Sequence, residues 1–170
     1  MPHSLRDKLI RNFNDIELKT STRAPLYDGG RYGSVAGARA GTVARKLGAG
    51  FDIVPPGKRT CPYHLHYAQE EMFIIVEGEG TLRVAGEMIP IRAGDVITIP
   101  PGPEYPHHIL NTSDAPLKYL SISTMEVPEV CEYPDSGKYL TDVGRNGGPL
   151  LGEGRMHRPD SDLDYWDGEP

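Results

Sequence analysis

Three histidines and one glutamate carry the spacing for joint chemistry in this 170-residue chain. His64-Leu65-His66 falls in an expected strand, where side chains two apart project from the same face and can meet one ion together. Glu71 follows five residues later and opens the apolar run Met72–Val76, sharing its parity with Phe73 and Ile75. His107 begins another expected strand, with Ile109 on the same face and Asn111 four residues on. A lone buried histidine is ordinarily satisfied by hydrogen bonds. Three imidazoles and a carboxylate buried together without a counter-charge would cost several kcal/mol, whereas a divalent cation compensates the carboxylate and uses the lone pairs. The expected cofactor is therefore one divalent transition metal (Zn, Mn, Ni or Fe) on His64, His66, Glu71 and His107. Open coordination positions would admit a small polar metabolite through two oxygens, such as a hydroxy-carbonyl compound or an α-keto acid. Lys58 and Arg59 are candidates to meet its phosphate or carboxylate, and Tyr105 is a pocket candidate by its nearness to His107. No acid or base residue stands out.

The elements that must position these groups read as strands. Candidates are Leu47–Val54, Tyr63–Tyr67, Glu71–Glu77, Thr81–Ala85, Met88–Ile91, Asp95–Ile99, His107–Asn111 and Leu117–Thr124. Turn signals separate them at Pro55-Pro56-Gly57, Glu77-Gly78-Glu79-Gly80 and Arg92-Ala93-Gly94-Asp95. With no helical pattern of ten residues between them, the expected class is all-β, a jelly roll or barrel, its core including Phe73, Ile75, Val96 and Ile109. Ser4, Asp7 and the apolar Leu5, Leu9 and Phe13 predict one short capped helix. Glycines recur from Asp28 to Gly50, which predicts loop and short edge strand. The chain turns polar and glycine-rich after Val127. One domain over 1–170 is expected, with a core at about 43–127, an arm over 1–42 and an irregular tail over 128–170.

Several function classes are disfavoured. A net charge of −6 argues against a surface that tracks nucleic-acid phosphates. Charged residues throughout Met1–Thr20 leave no apolar leader or membrane span there, so the cytoplasm is the expected location. Cys61 and Cys131 are too few for a disulfide framework and read as free thiols. Asn111-Thr112-Ser113 matches a glycosylation sequon without an expected secretory route. Asp160, Asp162 and Asp164 imitate a calcium loop, but Tyr165 stands where its turn needs glycine. The chain lacks GxGxxG, GxxxxGK[ST] and GxSxG.

Two motifs then point to a family. Gly57-x6-His64-x-His66-x4-Glu71-x6-Gly78 resembles the first cupin motif, and Gly94-x5-Pro100-x-Gly102-x4-His107-x3-Asn111 resembles the second. The chain carries one extra residue between Gly57 and His64 and two between Gly102 and His107, which leaves His107 and His108 both open; the spacings between ligands hold, and the motif's spacing to Asn111 selects His107, so that His108 is expected to face the other way, toward packing or surface. The resemblance, over about Leu47–Thr124, implies a double-stranded β-helix barrel with His64, His66, Glu71 and His107 on a metal. Pro55–Arg59, Tyr133–Lys138 and Asp164–Glu169 are similar to bacterial single-domain cupins labelled sugar-phosphate-isomerase-like. It thus implies isomerase-like chemistry on a small carbonyl compound or sugar phosphate. Alternatives are an iron-dependent dioxygenase, lyase or decarboxylase, or a non-catalytic small-molecule binder. A homodimer is the expected assembly.

Overall fold

The structure is a computed structural model that describes residues 5–144, 154–161 and 163–170. One short helix, α1 (Leu5–Leu9), precedes a succession of strands. These are β1 (Lys19–Thr20), β2 (Arg31–Ala36), β3 (Leu47–Val54), β4 (Leu65–His66), β5 (Glu71–Glu77), β6 (Glu79–Val84) and β7 (Glu87–Arg92). There follow β8 (Val96–Ile99), β9 (His107–Leu110), β10 (Leu117–Thr124), β11 (Glu129–Tyr133), β12 (Lys138–Asp142) and β13 (Arg155–His157). The all-β class holds, and β3, β5 and β10 keep the expected bounds. Gly78 shows what the turns require: its φ is +86°, and a Cβ there would lie 2.7 Å from the Pro116 carbonyl oxygen.

A six-stranded sheet runs in the order β1-β2-β3-β10-β5-β8. Facing it, β13-β12-β11-β4 and β7-β6-β9 form two smaller sheets. The antiparallel bridge His64↔His107, next to β4, joins these two, and Arg59↔Leu110 ties the segment before β4 to β9. This is the jelly-roll arrangement the strand pattern predicts. Alternation sends one face of β3 and of β5 to β10 into a common core of Val54, Phe73, Ile75, Leu82, Ile91, Ile99, Ile109, Leu117 and Tyr119.

Two sequence expectations are corrected here, and one is borne out. Val96 lies outside the core and is 58% exposed. The register Phe73↔Ile97 and Glu71↔Ile99 turns Ile97 and Ile99 inward and Val96 outward. The N-terminal helix is short, as expected, and exposes Leu5 and Leu9. Packing there falls to Phe13, which stacks on Phe51 at 4.7 Å, while the expected cap Ser4 lies outside the described residues. The segment after Val127 is not wholly irregular: β11 and β12 form a hairpin paired through β11 to β4. Its turn, Pro134–Ser136, ends on Gly137 in the left-handed conformation.

Both free cysteines are as expected. Asn111 of the sequon is buried, its amide donating 2.7 Å bonds to the Val54 and Ala115 carbonyls, so it serves as a structural corner. Asp162 of the calcium-loop imitation lies outside the described residues. Among the described residues, no helix is long and apolar enough to cross a membrane.

Leu117 is wholly buried whereas Leu163 is largely exposed. Leu117→Ala should therefore cost about 2–5 kcal/mol and Leu163→Ala less than about 0.5, measured by urea unfolding.

Candidate metal centre

Local strand geometry assembles the cluster. His64 and His66 flank buried Leu65, and Glu71 starts β5 on the face of Phe73 and Ile75. His107 is held opposite His64 by two backbone hydrogen bonds, His64 N–H to the His107 carbonyl at 3.1 Å and the reverse at 2.7 Å. The imidazole Nε2 atoms of His64, His66 and His107 approach one oxygen, Glu71 Oε2, at 3.8, 3.6 and 2.9 Å.

The other nitrogen of each ring is committed elsewhere. Nδ1 of His64 lies 2.9 Å from the Pro62 carbonyl, Nδ1 of His107 lies 3.1 Å from the Tyr105 carbonyl, and Nδ1 of His66 lies 3.2 Å from Glu129 Oε1. These acceptors favour a proton on every Nδ1 and leave every Nε2 lone pair aimed inward. Burial by itself would push the Glu71 carboxyl up; positive charge on the surrounding His107, His66 and His64 rings brings it down to about 2, and a bound cation would supply the same charge with the rings neutral.

A metal ion fits this donor set. Among the described residues, His64, His66 and Glu71 present donor atoms within 4.8 Å of one another. Glu71 Oε2 and His107 Nε2 are buried without a well-aligned hydrogen-bond partner, a state that a shared cation would relieve.

Glu129 is the functional neighbour that sequence reasoning missed. It is buried, and beside His66 its carboxylate accepts the backbone N–H groups of Tyr67 (3.1 Å), Ala68 (3.0 Å) and Gln69 (2.9 Å). The β4–β11 pairing delivers it, with Cys131 opposite His66. Tyr133, on the same strand, stacks its ring 6.2 Å from that of His64. A usable signal lay in the two short runs, Glu129–Tyr133 and Lys138–Asp142, around the Pro-Asp-Ser-Gly turn.

The other candidates are placed apart. Lys58 donates a 2.6 Å bond to the Pro25 carbonyl, and Arg59 lies over the Tyr27 ring at 6.0 Å, both toward the N-terminal arm. Arg59 pairs with Leu110, and so shares the strand face of His108 and not that of His107. The Tyr105 side chain is 46% exposed; its carbonyl, not its ring, touches the cluster. His108 turns away from the cluster as expected but is buried, edge-on to Tyr63 at 5.4 Å. A surface depression of about 640 Å³ lined by Glu79, Thr81, Arg92, Asp95 and Thr112 contains none of the cluster's donors.

Comparison with known proteins agrees with this architecture. Residues 50–123 match the family described as the cupin domain. A protein of Methanocaldococcus jannaschii named only as uncharacterised is 42% identical over 91 residues, covering 54% of this chain and 63% of its own. The oxalate-binding protein of Thermotoga maritima is 35% identical over 69 residues, 41% of this chain and 54% of that protein. The chain thus spans less than two thirds of the length of these curated relatives. A solved structure from Acidithiobacillus ferrooxidans, provisionally named a sugar phosphate isomerase, superposes with a TM-score of 0.74 at 25% identity, covering 95% of this chain and 98% of its own.

The buried His108 generates a pH prediction. Burial first, then the Arg59 and Arg83 charges, lower its imidazole to about 4, so the fold holds it neutral. Its contribution is complete above about pH 6.5, where the unfolded chain is also neutral, and is lost as pH falls toward 4. The wild-type urea midpoint should drop between pH 7 and 4, and His108→Phe should flatten that drop.

Proposed function

We propose that His64, His66, Glu71 and His107 hold one divalent transition metal, Zn, Mn, Ni or Fe, in a metal-dependent enzyme acting on a small carbonyl compound or sugar phosphate by isomerisation. The observation that carries this reading is the convergence of three Nε2 lone pairs on a buried carboxylate oxygen lacking a well-aligned partner. The ion would act as a Lewis acid on a carbonyl oxygen. The chain's own part is to fix three imidazole tautomers through Pro62, Tyr105 and Glu129, and to exclude water with Phe73, whose ring lies 5.6 Å from that of His107. Likeness to the Acidithiobacillus ferrooxidans protein supports the isomerase class. Tyr105, at the rim, is the candidate among the sequence-predicted residues to touch substrate, whereas Lys58 and Arg59 would reach it only from the arm side. We place the protein in the cytoplasm, acting on a soluble metabolite.

A second reading, a binder of a small dicarboxylate without turnover, draws support from the oxalate-binding relative. Oxalate titrated into metal-loaded protein separates the two: tight binding with no chemistry on any sugar phosphate favours the binder.

A graded mutant pair tests the centre. His66→Ala should leave the purified protein folded with little metal, while Glu129→Gln should weaken affinity about 10- to 100-fold. Near-stoichiometric metal in His66→Ala would contradict the assignment.

The assembly we propose is a homodimer. The outward face of β5 and β8 exposes Met72, Val76 and Val96 beside half-buried Ile74, an apolar sheet surface suited to a second copy. Light scattering at tens of micromolar should give twice the chain mass, and Val96→Glu should shift it to the monomer. A monomeric wild type would refute the dimer.

A further inference from the structure

The metal centre is open on one side. The side chains of His64, His66 and Glu71 keep between 11 and 15% of their surface exposed, whereas that of His107 keeps 1%. His64 and His66 lie at β4, and β4 pairs with β11, so the hairpin of β11 and β12 borders the open side. Strand alternation puts Glu129, Cys131 and Tyr133 on one face of β11. Two of them touch ligand imidazoles, Glu129 at His66 Nδ1 and Tyr133 by stacking on the His64 ring at 26°. That face therefore looks onto the cluster. On β12, Lys138 stands in register opposite Tyr133 and shares the face.

The Lys138 ammonium lies 5.1 Å from the centre of the Tyr133 ring. Two ring contacts, of 6.2 and 5.1 Å, thus lead from a ligand imidazole to a cation. Among the described residues no carboxylate pairs with this ammonium. Other cations are committed: Lys58 to the Pro25 carbonyl, Lys118 to Glu77 and Arg83 to Asp135. The Arg83–Asp135 pair also fixes the hairpin. Asp135 accepts two hydrogen bonds from Arg83, of 2.6 and 2.9 Å, and the guanidinium lies 3.7 Å over the Tyr63 ring. The turn that presents Lys138 is thereby tied to β6.

We infer that Lys138 selects substrates carrying an anionic group remote from their metal-bound end, its ammonium meeting a phosphate or carboxylate while Tyr133 packs against the carbon chain between. The inference rests on the metal-centre reading of the same site and narrows its substrate class. A lysine ammonium is a compact point charge suited to such oxygens, and a half-buried one is less screened by water than a surface lysine. Burial pushes the Tyr133 phenol up, so it stays neutral and leaves the ammonium free for the substrate. Lys58 and Arg59, the cations expected from the sequence, face the N-terminal arm instead.

The test uses full-length protein loaded with Mn²⁺ and calorimetric titration with two pairs of probes. Ribose 5-phosphate is compared with ribose, and 2-oxoglutarate with 2-oxopentanoate; the members of each pair differ in the remote anionic group. Wild type should bind the anionic member of one pair at least about 10-fold tighter than its partner, the loss of one charge-assisted hydrogen bond. Which pair shows the preference distinguishes phosphate from carboxylate. Lys138→Gln should abolish the preference with Mn²⁺ content unchanged, and Lys138→Arg should keep most of it. A wild type that binds both members of each pair equally would overturn the inference and leave the metal-centre reading standing. So would a Lys138→Gln variant that keeps the preference, or one that weakens both members alike, the mark of a merely structural role. A wild type that holds no Mn²⁺, or holds it and binds no probe, would overturn the reading of the site and this inference with it.

Discussion

Three imidazole nitrogens approach a single carboxylate oxygen inside a β-barrel, and the electrostatics of that meeting govern how the surrounding strands are arranged. Glu71 and Glu129 bring two carboxyl groups into a region with little water, one among the Nε2 atoms and the other behind His66. Buried carboxylates are stable only when fully hydrogen-bonded or matched by positive charge. Glu129 meets the first condition through three backbone N–H groups and an imidazole. Glu71 Oε2 does not, and a divalent ion is the partner whose charge and ligand preferences answer both that oxygen and the three lone pairs.

The two-faced architecture follows from the same requirement. Glu71 belongs to the six-stranded sheet, while His64, His66 and His107 belong to the facing layer, so the donors meet only if both layers keep their register. A slip of one residue in β5 would send Glu71 outward together with Phe73 and Ile75. The β11–β12 hairpin adds the last constraint, because its pairing to β4 carries Glu129 to His66.

Much of this was legible in the sequence, for identifiable physical reasons. Parity alone placed His64 with His66, and Glu71 with Phe73 and Ile75, because strand side chains alternate strictly. The spacing to Asn111 in the second cupin-like motif chose His107 over His108; the two point to opposite sides, His108 into packing against Tyr63. Where the reading failed, the signal was local and short. Glu129–Tyr133 carries two acids in five residues and reads as polar chain until its pairing with His66 and Leu65 is known. Val96 looked like core because β8 has apolar residues on both faces, and only the register with Phe73 and Ile74 tells them apart.

The central claim is that one ion sits among these four side chains, and anomalous diffraction locates it most directly. Crystals grown with Zn²⁺ and measured on both sides of the zinc absorption edge should give one strong peak per chain, about 2.0–2.2 Å from Nε2 of His64, His66 and His107 and from a Glu71 carboxylate oxygen. A map with no peak there, or with its strongest peak at tail carboxylates such as Asp160 and Asp164, would contradict the account.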